Sequence, residues 1–388
     1  MSETESSDRS LLRVLQIKQG LAIDGASMML TNLAKAVRSY GIVFDVLLDE
    51  SAAKADSDYL EVITACGGRV FSIEDAWNES RRALPLKVFK LLYSRKIMRS
   101  GGYAAAHLQT DTPSRVQMLM VAKQAGIPRR IVHSHNSSCE AARTEPKRQE
   151  KYRKKMSRVA TDYIACSDVA AAWLFPDEVV KDGRYMILKN GIELGSYLFD
   201  ETKRAAKRQE LGIDDEVAIG CVGRLVEQKN VGFALCIMEE VVERDARAKL
   251  FIVGDGEERE ALEACVREKG LGDNVLFLGA RYDVPDLMQA LDVLLMPSLF
   301  EGLGIVLVEA QAASLPSVVS DAVPPEADLG GRLSFLSLDD PVGIWADSLV
   351  EAVSALRVDT SEAVRKSGYT IEESARLLAS LYAGKAEC

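Results

Sequence analysis

Two carboxylates eight residues apart, Glu301 and Glu309, bracket a pair of glycines, Gly302 and Gly304, within the stretch MPSLFEGLGIVLVEAQAASLPSVVSD that runs from Met296 to Asp321. The pattern reads as a buried strand ending at Met296, a turn to Glu301, and a helix opened by glycine. Parallel sheets bind ligands outside the carboxyl ends of their strands, and a glycine-opened helix start presents unpaired N–H groups suited to phosphate oxygens. The backbone of Gly302, Leu303 and Gly304 is therefore a candidate phosphate cradle. Glu309 lies a little over two helical turns beyond Glu301, so it points into the same crevice yet stands clear of the helix start. A carboxylate there would repel phosphate but accept hydrogen bonds from the vicinal hydroxyls of a ribose. Taken singly, either glutamate is equally compatible with an ordinary surface position.

Cations occur in the same half of the chain. Gly223-Arg224 ends one strand pattern and Glu227-Gln228-Lys229-Asn230 opens the following helix, so Arg224 supplies a planar fork and Lys229 a compact charge, a pairing suited to a diphosphate. Gly254-Asp255-Gly256 lacks the third glycine of a dinucleotide loop and reads as a tight turn at the pocket edge, as does the Gly279-Ala280-Arg281 strand end. Gly223, Gly254 and Arg281 are thus expected to border the nucleotide. In the first half, Gly25-Ala26-Ser27 precedes a helix and allows close backbone approach to a phosphate or sugar. The chain has three histidines, His107, His133 and His135, each expected at a strand end. His135 projects furthest and is the candidate for a cleft role. His133 and His135 also form an HxH pair, but no third ligand lies at a sensible spacing, so no metal is expected. Asp56-Ser57-Asp58 lies in a polar loop and does not indicate a nucleotide-bound cation.

The elements that must hold these residues alternate. LLRVLQIKQ, VFDVLLD, YAAAHLQ, RRIVHSH and YIACS read as strands, with a helix MMLTNLAKAVRSYG closed by Gly41. After KNGIELGSY the pattern restarts with VAIGCVGR, AKLFIVG, NVLFLGA, LDVLLMP and PSVVSD. Alternating strands and helices predict parallel sheets with covering helices. The expected class is α/β, with two similar domains, residues 1–190 and 191–369, and a helix near 370–388 folding back onto the first. The substrate is expected in a cleft between the two.

Length and composition agree with a soluble globular protein of two domains. The chain has 388 residues, 47% of them apolar, and contains no run long enough to cross a bilayer. The N-terminal MSETESSDRS carries no apolar signal region and is expected to be an untethered tail. Seven scattered cysteines without CxxC spacing indicate neither a disulfide framework nor zinc, which suits a reducing cytoplasm. A net charge of −10 argues against nucleic acid as a partner. Charge is nonetheless uneven: RRALPLKVFKLLYSRKIMR, Arg81 to Arg99, has seven basic residues and no acidic one, interleaved with leucine, valine and phenylalanine. Such a segment can rest on an anionic membrane surface or form a solvated helix face. The basic run from Arg143 to Arg158 reads as a solvated face.

Taken together, GRLVEQKN, VGDGEER and FEGLGIVLVEAQAASLP resemble the donor-binding half of glycosyltransferase family 4, retaining enzymes of the GT-B fold, and DGASMML, HSHNSS, ACSDVAAAWLF and KNGIE extend the resemblance over nearly the whole chain. It is strongest toward bacterial exopolysaccharide and capsule transferases. The resemblance implies two Rossmann-like domains and metal-independent transfer, without a cofactor, of a sugar from a nucleotide diphosphate donor, UDP-sugars favoured, to a glycan or lipid-linked acceptor. It assigns Arg224 and Lys229 to the diphosphate, Gly25 and the backbone from Gly302 to Gly304 to phosphates or sugar, and Glu309 to the ribose. Glu301, first glutamate of the EX7E pattern, and His135 would meet the donor sugar. Ala26, where relatives carry glycine, and Leu188-Lys189, in place of Ile-Pro, depart from the pattern. A non-catalytic scaffold of the same fold and a nucleotide-sugar epimerase are the alternatives.

Overall fold

The computed structural model describes residues 11–22, 25–81, 84–135, 145–301, 303–355 and 357–384. The polar N-terminal segment, Gly302 and the second half of the HSHNSS motif lie outside them. The chain divides into two compact units, one of residues up to Gly191 together with those from Ile371 onward, the other Ile192–Thr370.

The first unit is built on a parallel sheet of β1 (Leu12–Lys18), β2 (Ile42–Leu48), β3 (Val70–Ser72), β4 (Ala105–Thr110), β5 (Arg129–Ser134), β6 (Asp162–Ala165) and β7 (Met186–Ile187). Their order is β3-β2-β1-β4-β5-β6-β7. β1, β2 and β4 are buried almost throughout, the continuous apolar character expected of strands covered on both faces. One face packs under helices that include Leu86–Ser100 and Gln117–Gln124. The other is covered by Gly25–Ala36 and by Ile371–Tyr382, whose Ile371, Ala375, Leu378 and Tyr382 enter the same core as Val14 and Phe44.

The second unit repeats the plan with β8 (Ala218–Val222), β9 (Lys249–Val253), β10 (Val275–Gly279), β11 (Val293–Met296), β12 (Ser317–Ser320) and β13 (Leu333–Leu336), in the order β10-β9-β8-β11-β12-β13, all parallel. In each sheet the strand order reverses at one point, between β1 and β4 and between β8 and β11. Crevices outside the strand ends at such points are where open α/β sheets bind ligands.

Three local expectations change. The Gly25–Ala36 helix begins at Gly25 itself, so the Gly25-Ala26-Ser27 segment is its first turn rather than a preceding loop. His107 and His133 lie inside β4 and β5, not at their ends, and each is only 1% exposed. The edge strands β3, β7 and β13, of three, two and four residues, escape the pattern reading because a short edge segment needs no long apolar run. Asp56 of the DxD triplet is a helix cap that accepts from the amides of Asp58 and Tyr59.

Candidate active site

The second sheet's reversal point gathers most of the candidate residues. At the end of β8 the chain turns sharply at Gly223, with φ +153°, where a β-carbon would come within 3.0 Å of the Lys229 side chain. The next turn is stitched to it: the Gly223 amide donates to Val253 O at 2.9 Å, the Leu225 amide to Asp255 O at 3.0 Å, and the Gly254 amide to Gly279 O at 2.8 Å. Gly254 is obligatory there, because a β-carbon would lie 1.9 Å from the Gly223 carbonyl oxygen, and at Gly256 it would lie 2.2 Å from Leu225 O. Gly254 and Gly256 therefore let three strand ends lock together at backbone distance, which explains the GDG sequence without a dinucleotide.

From β8 the chain enters the Glu227–Lys229 turn and, through Asn230 in the left-handed region (φ 51°), the Val231–Arg244 helix. This turn docks on the loop after β11. Leu299 donates its amide to Gln228 O at 2.8 Å, Gln228 Nε2 donates to Phe300 O at 3.0 Å, and Asn230 Nδ2 donates to Pro297 O at 3.1 Å. Docking carries Lys229 Nζ to 2.5 Å from Glu301 Oε1, a pair with side chains 18% and 6% exposed. Arg224, on the turn that follows Gly223, is exposed, with no ion pair among the described residues. Gly304, with φ +75°, then starts the Ile305–Ala312 helix, where a β-carbon would meet Met296 Cε at 2.6 Å. The first N–H groups of this helix have no intrahelical acceptor.

Glu309 is not a surface residue. Its helix is buried from Val306 through Ala312, and Glu309 is only 7% exposed. Burial pushes its pKa up to about 7, while the Tyr197 hydroxyl that hydrogen-bonds it and the nearby Lys229 charge pull the other way. Tyr197, from the Leu194–Tyr197 turn, has its own phenol held far above the ordinary range by burial and by that carboxylate. One lysine thus serves two buried glutamates, paired with Glu301 and felt by Glu309, and Tyr197 completes the group. Tyr197 was not singled out from the sequence. A tyrosine seven residues beyond the Asn190-Gly191 turn start carries no signal until the helix from Ile305 is placed against it.

Arg281 is engaged elsewhere. It makes a forked contact with Asp283 at 2.7 and 2.6 Å and reaches Glu210 at 3.3 Å, at the end of the outer strand β10, two strands from β8. The structure does not bring it together with Arg224, Lys229 and Glu301. In the first unit, Gly25 is exposed with open space around it, and His135 follows β5 with its Nε2 hydrogen-bonded to Gln109 Oε1. Among the described residues no group of three or more His, Cys, Asp or Glu side chains is placed to hold a metal ion.

Comparison with known proteins places this geometry. The family model for glycosyl transferases group 1 matches residues 203–330, the span that holds Arg224, Lys229, Glu301 and Glu309. The putative glycosyltransferase EpsF of Bacillus subtilis is 33% identical over 379 residues, covering 95% of this chain and 96% of that protein. The UDP-Gal:alpha-D-GlcNAc-diphosphoundecaprenol alpha-1,3-galactosyltransferase of Escherichia coli is 32% identical over 139 residues, 35% of this chain and 36% of its own. Among solved structures, Anabaena Alr3699/HepE in complex with UDP superposes with a TM-score of 0.71 at 18% identity, covering 96% of this chain and 100% of that one. WaaG, a glycosyltransferase involved in lipopolysaccharide biosynthesis, gives a TM-score of 0.66 at 17% identity, with 96% and 100% covered. The fold is that of these GT-B neighbours, and with a relative so similar over nearly its full length the chain belongs to the glycosyl transferases group 1 family.

Proposed function

We propose that this protein transfers a hexosyl group from a nucleotide diphosphate sugar, a UDP-sugar in our reading, to a glycan or lipid-linked oligosaccharide, with retained anomeric configuration and without a metal ion. The observation that carries the reading is Lys229, pinned beside Glu301 and within the field of buried Glu309, at the reversal point of the second sheet. Breaking the bond at the anomeric carbon builds positive charge on the sugar and negative charge on the departing diphosphate. Fixed cations and helix N–H groups aimed at that diphosphate lower the barrier. In this reading Arg224 and Lys229 take the diphosphate with the amides of Leu303 and Gly304, Glu309 takes the ribose, and Glu301 and His135 meet the sugar.

The Lys229–Glu301 pair adds a step. Lys229 and Glu301 neutralise each other at 2.5 Å, so an incoming diphosphate exchanges one anionic partner of Lys229 for another and frees the Glu301 carboxylate for a sugar hydroxyl. Donor choice is supported by the HepE structures, solved with UDP and with UDP-glucose. The acceptor class is supported by the Escherichia coli relative, named for a diphosphoundecaprenol-linked acceptor, and a role in exopolysaccharide synthesis by EpsF.

A peripheral seat on an anionic membrane fits such an acceptor. The Leu86–Ser100 helix leaves Leu86, Val88, Leu91 and Leu92 between 43% and 53% exposed, interleaved with Lys87, Lys90, Arg95 and Lys96. Among the described residues no helix is long and apolar enough to cross a membrane.

The test is a screen of UDP-, GDP-, ADP- and dTDP-sugars by ligand-induced thermal stabilisation, followed by a transfer assay in the presence and absence of EDTA. UDP-sugars should stabilise the protein and turnover should survive chelation. Stabilisation by none of them, or turnover lost to EDTA and restored by magnesium, would overturn the proposal.

A further inference from the structure

His135 does not stand alone on the first sheet. Gln16 on β1 pairs in register with His107 on β4, and Gln109 on β4 pairs with His133 on β5, so these side chains share one sheet face. His107 and His133 stack with ring centroids 5.2 Å apart and planes 19° from parallel, and His133 and His135 follow at 4.0 Å. Helix Ile371–Tyr382 brings Tyr382 onto the same face, edge-on to Phe44. All four of the groups that connect to His135 are buried: Gln16 and His107 at 1% exposure, Tyr382 at 4% and Gln109 at 7%.

Their hydrogen bonds run in one direction. Gln109 Nε2 donates to Gln16 Oε1 at 2.8 Å, and Gln16 Nε2 donates to the Tyr382 hydroxyl at 3.2 Å. Burial holds His107 neutral, with a pKa lowered to about 3; the Tyr382 hydroxyl, already an acceptor from Gln16, has its own proton to donate, and His107 Nδ1 at 2.6 Å is the acceptor it meets. Gln109 turns its amide nitrogen toward Gln16, so the atom it presents to His135 is its carbonyl oxygen. A carbonyl oxygen accepts, so His135 Nε2 must carry the proton. A neutral His135 held this way carries its proton on Nε2 and leaves Nδ1 deprotonated.

We infer that Gln109, Gln16 and Tyr382 are positioning residues that fix the tautomer and ring orientation of His135, so that the C-terminal helix sets the hydrogen-bonding character of the histidine assigned to the donor sugar. The inference rests on the proposed role of His135. Each link from His135 through Gln109, Gln16 and Tyr382 to His107 is made, and buried hydrogen bonds in series favour one arrangement over its alternatives. The stacked His133 ring limits rotation of His135, and the relay decides which nitrogen is protonated.

With three histidines in the chain, imidazole nitrogen NMR on the full-length protein resolves each ring after assignment by single His→Gln variants. Wild-type His135 should show the Nε2–H tautomer, and His107 should show Nδ1 as an acceptor. Gln109→Leu should release His135 into a tautomer mixture and lower kcat/KM for the donor on the order of tenfold. Gln109→Glu, which keeps an acceptor against Nε2, should return both toward wild type. Tyr382→Phe should alter the His107 and His135 signals together. A folded Gln109→Leu protein in which His135 keeps its tautomer overturns the relay. A changed tautomer with unchanged transfer kinetics overturns its functional part. If Gln109→Leu does not fold, Gln16→Met and Tyr382→Phe read the same chain one and two links back. Absence of transfer by the wild-type protein would instead count against the glycosyltransferase reading, and the spectra would still decide the relay.

Discussion

At the scale of single residues, Lys229 and Arg224 divide the electrostatic work unequally. Lys229 is mostly buried and already paired, whereas Arg224 is exposed and has no ion pair among the described residues. Arg224→Ala should leave the free protein's stability within about 0.5 kcal/mol of wild type, as surface changes usually do, and slow transfer on the order of 10²-fold by removing a preorganised charge contact. Lys229→Ala should slow transfer at least as much and also destabilise the free protein by about 3 kcal/mol, because Glu301 would be left buried without its partner. Steady-state kinetics and urea unfolding of the two variants check both statements; full activity in both would remove the diphosphate assignment. The positions of the two cations and of Glu301 were readable in the sequence because each follows an apolar strand run and precedes a helix, whereas Glu309 sits within the Ile305–Ala312 helix and is marked only by its spacing. Their mutual contact was not, since Lys229 and Glu301 are 72 residues apart and nothing local records which turn docks on which loop. The same holds for Tyr197 on Glu309 and for the relay from Tyr382 to His135, which needed the register of three strands.

At the scale of elements, the long central strands were readable and the short edge strands were not. Central strands covered on both faces need continuous apolar runs, whereas β7 needs only two residues against β6. Glycines tell a similar story. Gly254 has a turn-like sequence context, yet the reason for it lies in the neighbouring turn, 1.9 Å from where a side chain would start. Gly254→Ala should therefore push the β8 and β9 ends apart at a cost on the order of 3 kcal/mol, with nucleotide affinity falling alongside stability. Urea unfolding and nucleotide titration measure the two losses; an alanine variant with wild-type midpoint would mean the turns yield freely. The Leu86–Ser100 helix carries a separate prediction. It buries Ser94, Ile97 and Met98 on its inner side and leaves a mixed leucine and lysine surface outward. Each basic residue near an anionic bilayer contributes about 1 kcal/mol. Neutralising Lys87, Arg95 and Lys96 together should thus release the protein from anionic vesicles in co-sedimentation by two orders of magnitude or so in affinity. Unchanged sedimentation would assign that helix face to solvent.

At the scale of the whole molecule, the two units should answer pH in opposite directions. In the first, burial and then the neighbouring histidine charges depress His133 well below its ordinary value, and burial lowers His107 to about 3. A base whose folded pKa is depressed contributes stability that is complete above its unfolded pKa of 6.5 and is lost as pH falls below it, about 2 kcal/mol per histidine by pH 5. In the second, burial raises Glu309 from 4.5 to about 7, so the folded state favours the neutral acid. The unfolded chain ionises first, and stability is lost as pH climbs from 4.5 through 7, to roughly 3 kcal/mol at most. Asp45 and Asp283, held low by Arg69 and Arg281, stay ionised throughout this window and do not mask the effect. Hydrogen exchange, corrected for intrinsic rates, should therefore show β4 and β5 less protected at pH 5 than at pH 8, and the Ile305–Ala312 helix less protected at pH 8 than at pH 5. Glu309→Gln should abolish the second trend alone, and His133→Leu should weaken the first alone. Protection that changes in parallel in both units would mean that solvent reaches these groups more freely than their burial implies.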